Sequence, residues 1–348
     1  MRRFEGLSYV PSSPGRGSVV TWGVFDGVHR GHQQILRDTI ARARELTCDA
    51  VVVTFDRHPR TVLTGVSTPL LTSLPHRLAL LERTGVDAAV VLTFDRAFAL
   101  LSAEEFVRRV LVEGIGAKGV VAGYNTAFGR NREGTRTLLE ALGTRFGYTV
   151  FGSSPVHHPA SWPGQRGQPI SSTRVRDAIT GGRLAEAAEM LGRPVTIVAP
   201  VVRGAGRGRT LGFPTANLDL GGITCPPVGV YAATGRASLL VGRTGGLAEF
   251  PALVNVGRRP TFEGPEANEC VEVHLVGYSG DLYGGSLEVE FHRKIRDERA
   301  FSSAQELSRQ IALDKEALLA DQQAGLARLG QGGGADSLVC LTGSPEGR

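Results

Sequence analysis

Apolar positions in the first half of the chain fall into short unbroken runs separated by stretches of helical spacing. The runs "SVVTWGVF" (18–25), "AVVVTF" (50–55), "VDAAVVLTF" (86–94), "KGVVAG" (118–123) and "YTVF" (148–151) are β-prone. Between them, Gln33–Leu46, "HRLALLERTG" (76–85), "SAEEFVRRVLV" (102–112) and "TRTLLEALGTRFG" (135–147) repeat apolar residues every three or four positions, as amphipathic helices do. Ser102 and Glu105 form a capping box ahead of Phe106, Val107 and Val110. Strands that are apolar throughout and alternate with helices predict a parallel sheet covered on both faces, which binds ligands at the carboxyl ends of its strands.

From Val195 the period changes. "VTIVAPVV", "GVYAAT", "PALVNVG", "CVEVHLV" and "SLEVEF" are short alternating strands with close turn signals and no intervening helices, which predicts a small antiparallel barrel. Between the halves, "GSSPVHHPASWPGQRGQP" (152–169) reads as a long surface loop, and "ISSTRVRDAITGGRLAEAAEMLGRP" as two short helices ending at Gly192 and Pro194. A helix from Ser302 to about Leu329, opened by Ser302 and Gln305, closes the chain, and the stretch after Gly330 is too poor in apolar residues to order itself. The expected division is therefore 1–187, 188–330 and a disordered tail at 331–348.

Composition narrows the class more than the function. The chain has 348 residues, 41% hydrophobic and 21% charged, with no apolar run near the ~18 residues that span a bilayer. Its opening residues lack the apolar segment of a signal peptide, so the expected location is the cytoplasm. Cys48, Cys225, Cys270 and Cys340 are scattered without a C-x-x-C pair, which argues against a zinc site or disulfide framework. Only three of the 39 basic residues are lysine, and guanidinium-rich chains suit phosphate-bearing ligands.

No P-loop is present, but "FDGVHRGH" (25–32) joins the first strand to the first helix and offers another phosphate cradle. Gly23, Gly27 and Gly31 let backbone N–H groups approach an anion at the helix N-terminus. His29 and His32, one turn apart, can donate to the same oxygens; taken alone the pair is equally a helix cap or a metal pair. "SSTRVR" (171–176) supplies hydroxyls, helix N–H groups and Arg176, or is an ordinary N-cap. "GRGRTLGFPTANL" (206–218) is a glycine-rich basic flap in which Thr215 and Asn217 place neutral oxygens on one side of a strand, suited to Mg²⁺ beside nucleotide phosphates; "GRGR" alone also suits RNA.

"FDGVHRGH" with "SSTRVR" resembles the H-x-G-H and S-S-T-x-[IV]-R motifs of the nucleotidyltransferase superfamily, and "GFPTAN" resembles riboflavin kinase. Together with "TFDRHP" (54–59), "VAGYNTAFGRNREGT" (121–135), "ALVNVGRRPTF" (252–262), "VEVHL" (271–275), "GDLYG" (280–284) and "KIRDERAFSSAQEL" (294–307), the chain from Val19 to Leu329 is similar to the bacterial bifunctional riboflavin kinase and FAD synthetase family. The resemblance implies a Rossmann-like α/β nucleotidyltransferase domain followed by an all-β, six-stranded kinase barrel with a terminal helix. The front domain would adenylylate FMN to FAD with release of pyrophosphate, binding ATP through Gly23, Phe25, Asp26, Gly27, His29, His32, Asn125, Ser172, Thr173 and Arg176, and flavin through His58, Pro59 and Phe128. The barrel would phosphorylate riboflavin to FMN, with Glu272 as base and Thr215 and Asn217 on Mg²⁺. Its other ATP or flavin residues would be Gly206, Arg207, Gly208, Arg209, Gly212, Phe213, Pro214, Asn255 and Arg296.

Thr126 stands where this family places an aromatic ring, and Gly277 where it often has aspartate. Thr126 motivates an alternative in which only the kinase half is active or the front half serves a modified flavin. A flavin- or RNA-binding regulator on a dead enzyme is a further alternative, opposed by the intact "HRGH", "SSTR" and "PTAN". Expected partners are the small molecules riboflavin, FMN, FAD and ATP, with neither nucleic acid nor membrane, and the expected state is a monomer or weak homo-oligomer.

Overall fold

The computed structural model describes residues 1–9, 11, 15–158, 167–204, 206–238, 248–259 and 268–331. Residues 159–166 of the expected 152–169 loop, the "PTF" part of the 252–262 segment, Cys340 and the tail after Gln331 lie outside the described residues.

In the front half the apolar runs become β2 (Ser18–Trp22), β3 (Asp49–Phe55), β4 (Ala88–Leu92), β5 (Ala117–Gly123) and β6 (Thr149–Ser153), joined by an unexpected β1 (Arg2–Glu5). All pair in parallel, in the order β1-β4-β3-β2-β5-β6. Every residue of β3 is buried, as a central strand covered on both faces requires. The chain leaves β2 toward β3 on one side and returns to β5 on the other, so the crevice outside β2 and β5 is the sheet's switch point.

The interleaved helices are α1 (Arg30–Glu45), α2 (Pro59–Thr64), α3 (Leu74–Arg83), α4 (Arg96–Ala99), α5 (Ala103–Phe106) and α6 (Arg136–Phe146). The Ser102–Glu105 capping box forms with both bonds present, and the helix it opens continues beyond α5 as a π-helix over Val107–Gly114. Helix α1 starts three residues earlier than the apolar spacing suggests, because His29 caps it.

Two helices, α7 (Ser172–Thr180) and α8 (Leu184–Leu191), lead to the barrel, which consists of β7 (Val195–Val202), β8 (Ala216–Leu218), β9 (Gly229–Ser238), β10 (Glu249–Arg259), β11 (Asn268–Leu275) and β12 (Ser286–Arg296). Among the described residues these six antiparallel strands close in the order β10-β11-β8-β7-β12-β9. One turn of helix, α9 (Arg207–Thr210), lies in the glycine-rich flap, and α10 (Ala304–Gln331) follows the barrel. The cap of α10 differs from the expected Ser302–Gln305 pair: Ser303 Oγ accepts the Glu306 N–H at 3.2 Å, while the Glu306 carboxylate accepts the Ser302 N–H and Oγ–H. A charged acceptor one position on competes better for these donors than the amide of Gln305.

One apolar core crosses the expected seam. Val175, Ala178 and Ile179 of α7 and Ala187, Met190 and Leu191 of α8 are packed in the same cluster as Ile197, Tyr231, Val273 and Leu287 of the barrel. A second tie is a parallel bridge between Leu70 and Ile223, closed by Leu70 N–H to the Gly222 carbonyl (3.0 Å) and Thr224 N–H to the Leu70 carbonyl (2.7 Å).

Candidate active sites

The loop from Gly23 to His29 lies at the switch point and departs from ordinary backbone geometry. Phe25, Gly27 and Val28 have φ of 52°, 81° and 39°, a region that costs a branched or bulky residue and persists only where its surroundings impose it. Asp26 is one source of that constraint. Its buried carboxylate accepts the N–H groups of Leu71 (2.9 Å) and Thr72 (3.0 Å), the Thr72 hydroxyl (3.2 Å) and an Arg176 guanidinium N–H (3.1 Å). Its carbonyl accepts the Ser172 hydroxyl at 2.9 Å. The two motifs, 146 residues apart, thus meet on Asp26.

His29 Nδ1 accepts the backbone N–H of His32 at 3.3 Å, which leaves Nε2 as the protonated nitrogen of the neutral ring. The two imidazoles stack with centroids 3.6 Å apart, and Phe25 meets His32 edge-on at 5.1 Å. Burial, assisted by the charge of Arg193, lowers the His29 pKa to about 4. Burial also holds His32 well below its usual range, with further contributions from His29 and Arg77. Both rings are therefore neutral near pH 7, each with one N–H to offer. One His29 nitrogen is committed to the cap of α1, as the helix-cap reading of this histidine expects.

His58 caps α2, its Nδ1 accepting the Arg60 N–H at 3.1 Å, with Pro59 in the first turn. Its pKa is lowered chiefly by burial; Asp26 acts against that and Arg176 with it, so His58 belongs to the same electrostatic neighbourhood. Ser171 caps α7, which places Ser172 and Thr173 in the first turn. Asn125 is exposed just after β5, and the Thr126 N–H closes a turn onto the Gly123 carbonyl at 3.2 Å. Tyr124, unremarked in the sequence, is 53% exposed beside them. Phe128, expected on the flavin, has its ring buried against Trp22 (5.4 Å) and Phe106 (5.7 Å).

The barrel carries a cavity of about 710 Å³. Its wall follows from register: Glu272 on β11 lies directly opposite Asn217 on β8 and Asn255 on β10. Thr215 lines the same cavity as Asn217, as alternation along a strand requires. His274 Nδ1–H donates to the Pro214 carbonyl at 2.9 Å and meets Phe213 edge-on at 5.6 Å, which fixes the start of "PTAN". A Cβ at Gly208 would collide with the Phe213 carbonyl, so the flap closes on the cavity only with glycine there. Cys270 Sγ lies 3.9 Å from Glu272 Oε1 and 4.0 Å from Asn217 Oδ1.

The cavity gathers Gly206, Gly208, Phe213, Thr215, Asn217, Asn255, Glu272 and Arg296, whereas Arg209, Gly212 and Pro214 do not line it; the Arg207 side chain lies outside the described residues. Arg296 differs from a free ligand-binding arginine, since it forms a two-pronged pair with buried Asp314 of α10 (Nε–Oδ1 3.0 Å, NH2–Oδ2 2.8 Å). Asp314, Leu307 and Ile311 thereby become cavity wall. Sequence reasoning assigned them no role, because no local pattern reports where a terminal helix docks.

Residues 12–174 match the family model described as FAD synthetase, and residues 191–320 that of riboflavin kinase. The bifunctional riboflavin kinase/FMN adenylyltransferase of Escherichia coli strain K12 is 36% identical over 318 residues, 90% of this chain and 96% of its own. The proteins of the same name from Pseudomonas fluorescens and Bacillus subtilis strain 168 are 38% and 32% identical, each over 86% of this chain and 91% and 90% of their own. A solved structure described as a macrolide-efflux protein from Streptococcus pneumoniae aligns with a TM-score of 0.74 at 31% identity, over 91% of this chain and 99% of its own. Among the described residues no helix is long and apolar enough to cross a membrane.

Proposed function

The chain belongs to the family of bifunctional riboflavin kinases and FMN adenylyltransferases, and from that premise we propose which of its residues carry each reaction. It phosphorylates riboflavin to FMN with one ATP and adenylylates FMN to FAD with another. We divide these activities between residues 188–330 and 1–187.

In the kinase half the supporting observation is the alignment of Asn217, Glu272 and Asn255 across three strands at the cavity. Glu272 takes the proton of the riboflavin 5′-hydroxyl as its oxygen attacks the γ-phosphorus of ATP; the bond from γ-phosphorus to the bridging oxygen breaks and ADP leaves. The hydroxyl, amide and carboxylate oxygens of Thr215, Asn217 and Glu272 form a donor set that suits Mg²⁺, an ion that keeps waters and substrate phosphates among its ligands. Thr215 and Asn217 would hold it, and bound there it would neutralise phosphate charge.

In the front half a phosphate oxygen of FMN attacks the α-phosphorus of ATP, and the α–β bridge breaks to release pyrophosphate. His29 and His32 donate from neutral rings to phosphate oxygens, Asn125, Ser172 and Thr173 hold ATP, and Arg176 exchanges part of its contact with Asp26 for phosphate. His58 and Pro59 border the flavin. The proposal also places the chain in the cytoplasm as a monomer or weak homo-oligomer.

Incubation with riboflavin, ATP and Mg²⁺ should give FMN first and FAD later, resolved by chromatography. Glu272→Ala should stop FMN formation while sparing FAD made from supplied FMN, and His32→Ala should do the reverse. Loss of both activities from either change, with the fold intact, contradicts the two-site assignment.

A further inference from the structure

Between α8 and β7 the chain makes an unusually well-anchored turn. Gly192 caps α8 in the left-handed conformation, the Arg193 N–H bonds to the Ala188 carbonyl at 3.2 Å, and Pro194 stiffens the next step. From this fixed root the Arg193 side chain reaches away from the barrel into the front half. Its guanidinium donates to the Gly27 carbonyl at 2.8 Å and to those of Leu191 (3.4 Å) and Val28 (3.5 Å). Gln33 of α1 completes the clamp, donating to Val28 (2.9 Å) and Leu191 (2.8 Å).

The structure assigns Arg193 as a positioning residue for adenylyl transfer: it holds the Gly27 and Val28 carbonyls and so fixes the backbone from which His29 and the first turn of α1 project. This rests on the reading of that loop as the ATP cradle. Val28, with φ of 39°, stores backbone strain, and the clamp holds its carbonyl and that of Gly27 before it. The Arg193 guanidinium donates to carbonyls, which spreads its charge over the loop, while Glu288 is the carboxylate that acts on it through space. That charge reaches the chemistry, because it adds to the burial that keeps His29 neutral.

A residue that merely secured the linker would serve the barrel as much as the loop, since β7 begins two positions later. Both reactions are therefore measured on the same purified full-length protein. Arg193→Met, which preserves length and apolar contact, should lower kcat for FAD formation from supplied FMN and ATP by about 10²-fold, the scale of a small misplacement of catalytic groups. FMN formation from riboflavin should stay within about twofold. Arg193→Lys, with charge but no fork, should recover about tenfold of the loss. If the Met variant does not fold, the Lys variant decides alone, with FAD formation about tenfold down and FMN formation unchanged.

The inference is overturned if FAD formation remains within about twofold of the unaltered protein, or if both activities fall in parallel. His32→Ala runs alongside. If it leaves adenylylation intact, the site reading itself fails; if it abolishes adenylylation while the Arg193 variants do not, only the role of Arg193 fails.

Discussion

At the strand-to-helix junction Asp26, His29 and Ser172 serve fold and chemistry with the same atoms. Asp26 gathers two backbone N–H groups, a hydroxyl and a guanidinium, His29 caps α1, and Ser172 fastens α7 to the loop. In the barrel the duties are separated by strand alternation. Glu272, Asn217 and Asn255 look onto the cavity, while their neighbours Val271, Val273, Ala216, Val254 and Val256 are buried in the core. The front site is rigid at the expense of mutability, whereas the barrel site can lose its reactive group without losing its frame.

The largest expected effect breaks function alone. Glu272→Ala should reduce kcat for FMN formation by about 10²–10⁴-fold, as loss of a general base does, with the unfolding free energy within about 0.5 kcal/mol of the parent in urea titrations. A stability loss of several kcal/mol would show that Glu272 is structural after all. Asp26→Ala should do what Glu272→Ala does not: strand buried donors and Arg176, cost about 3–5 kcal/mol in the same titration, and stop FAD formation.

The buried imidazoles give a smaller effect with a definite sign. His29, held at about 4, and His76, held at about 3 by burial and the charges of Arg193 and Arg83, titrate lower in the folded chain than the ~6.5 of an unfolded one. Between those values the unfolded chain binds more protons, so acid favours unfolding. Their stabilisation is complete above about pH 6.5 and is lost progressively as pH falls toward 4, on the order of 3 kcal/mol for each ring. Urea midpoints measured from pH 7 to 4.5 should drop less steeply for His29→Gln than for the parent. The smallest effect sets the floor: Arg145→Ala removes an exposed 2.7 Å pair with Glu104 and should move stability by no more than about 0.5 kcal/mol and neither activity.

The sequence disclosed most where physics is local. Continuous apolar runs foretold the buried parallel strands, alternation foretold that Glu272 and His274 share a face, and H-x-x-H marked the switch-point loop. It was silent where partners are distant. Strand β1, "RRFE", has no apolar run; it pairs with β4 and is tied by distant partners of Arg2 (Asp49, 2.7 Å) and Arg3 (Glu82, 2.8 Å), so nothing in four polar-rich residues advertises it. Asp314 and Arg193 act only through folds that bring α10 and the linker to their sites. An aromatic in a glycine-rich loop, as Phe128 is, reads the same in sequence whether it faces a ligand or the core.

The apolar cluster shared by α7, α8 and the barrel sets a limit on how the gene could be divided. A cut after codon 187 would not sever a tether. It would leave the front half presenting Val175, Ala178 and Ile179 to water, and the rear half Met190 and Leu191, with about 1.5–3 kcal/mol of burial forfeited for each large side chain so exposed. Two separately expressed halves would meet the solvent as sticky surfaces, prone to aggregate unless they found each other.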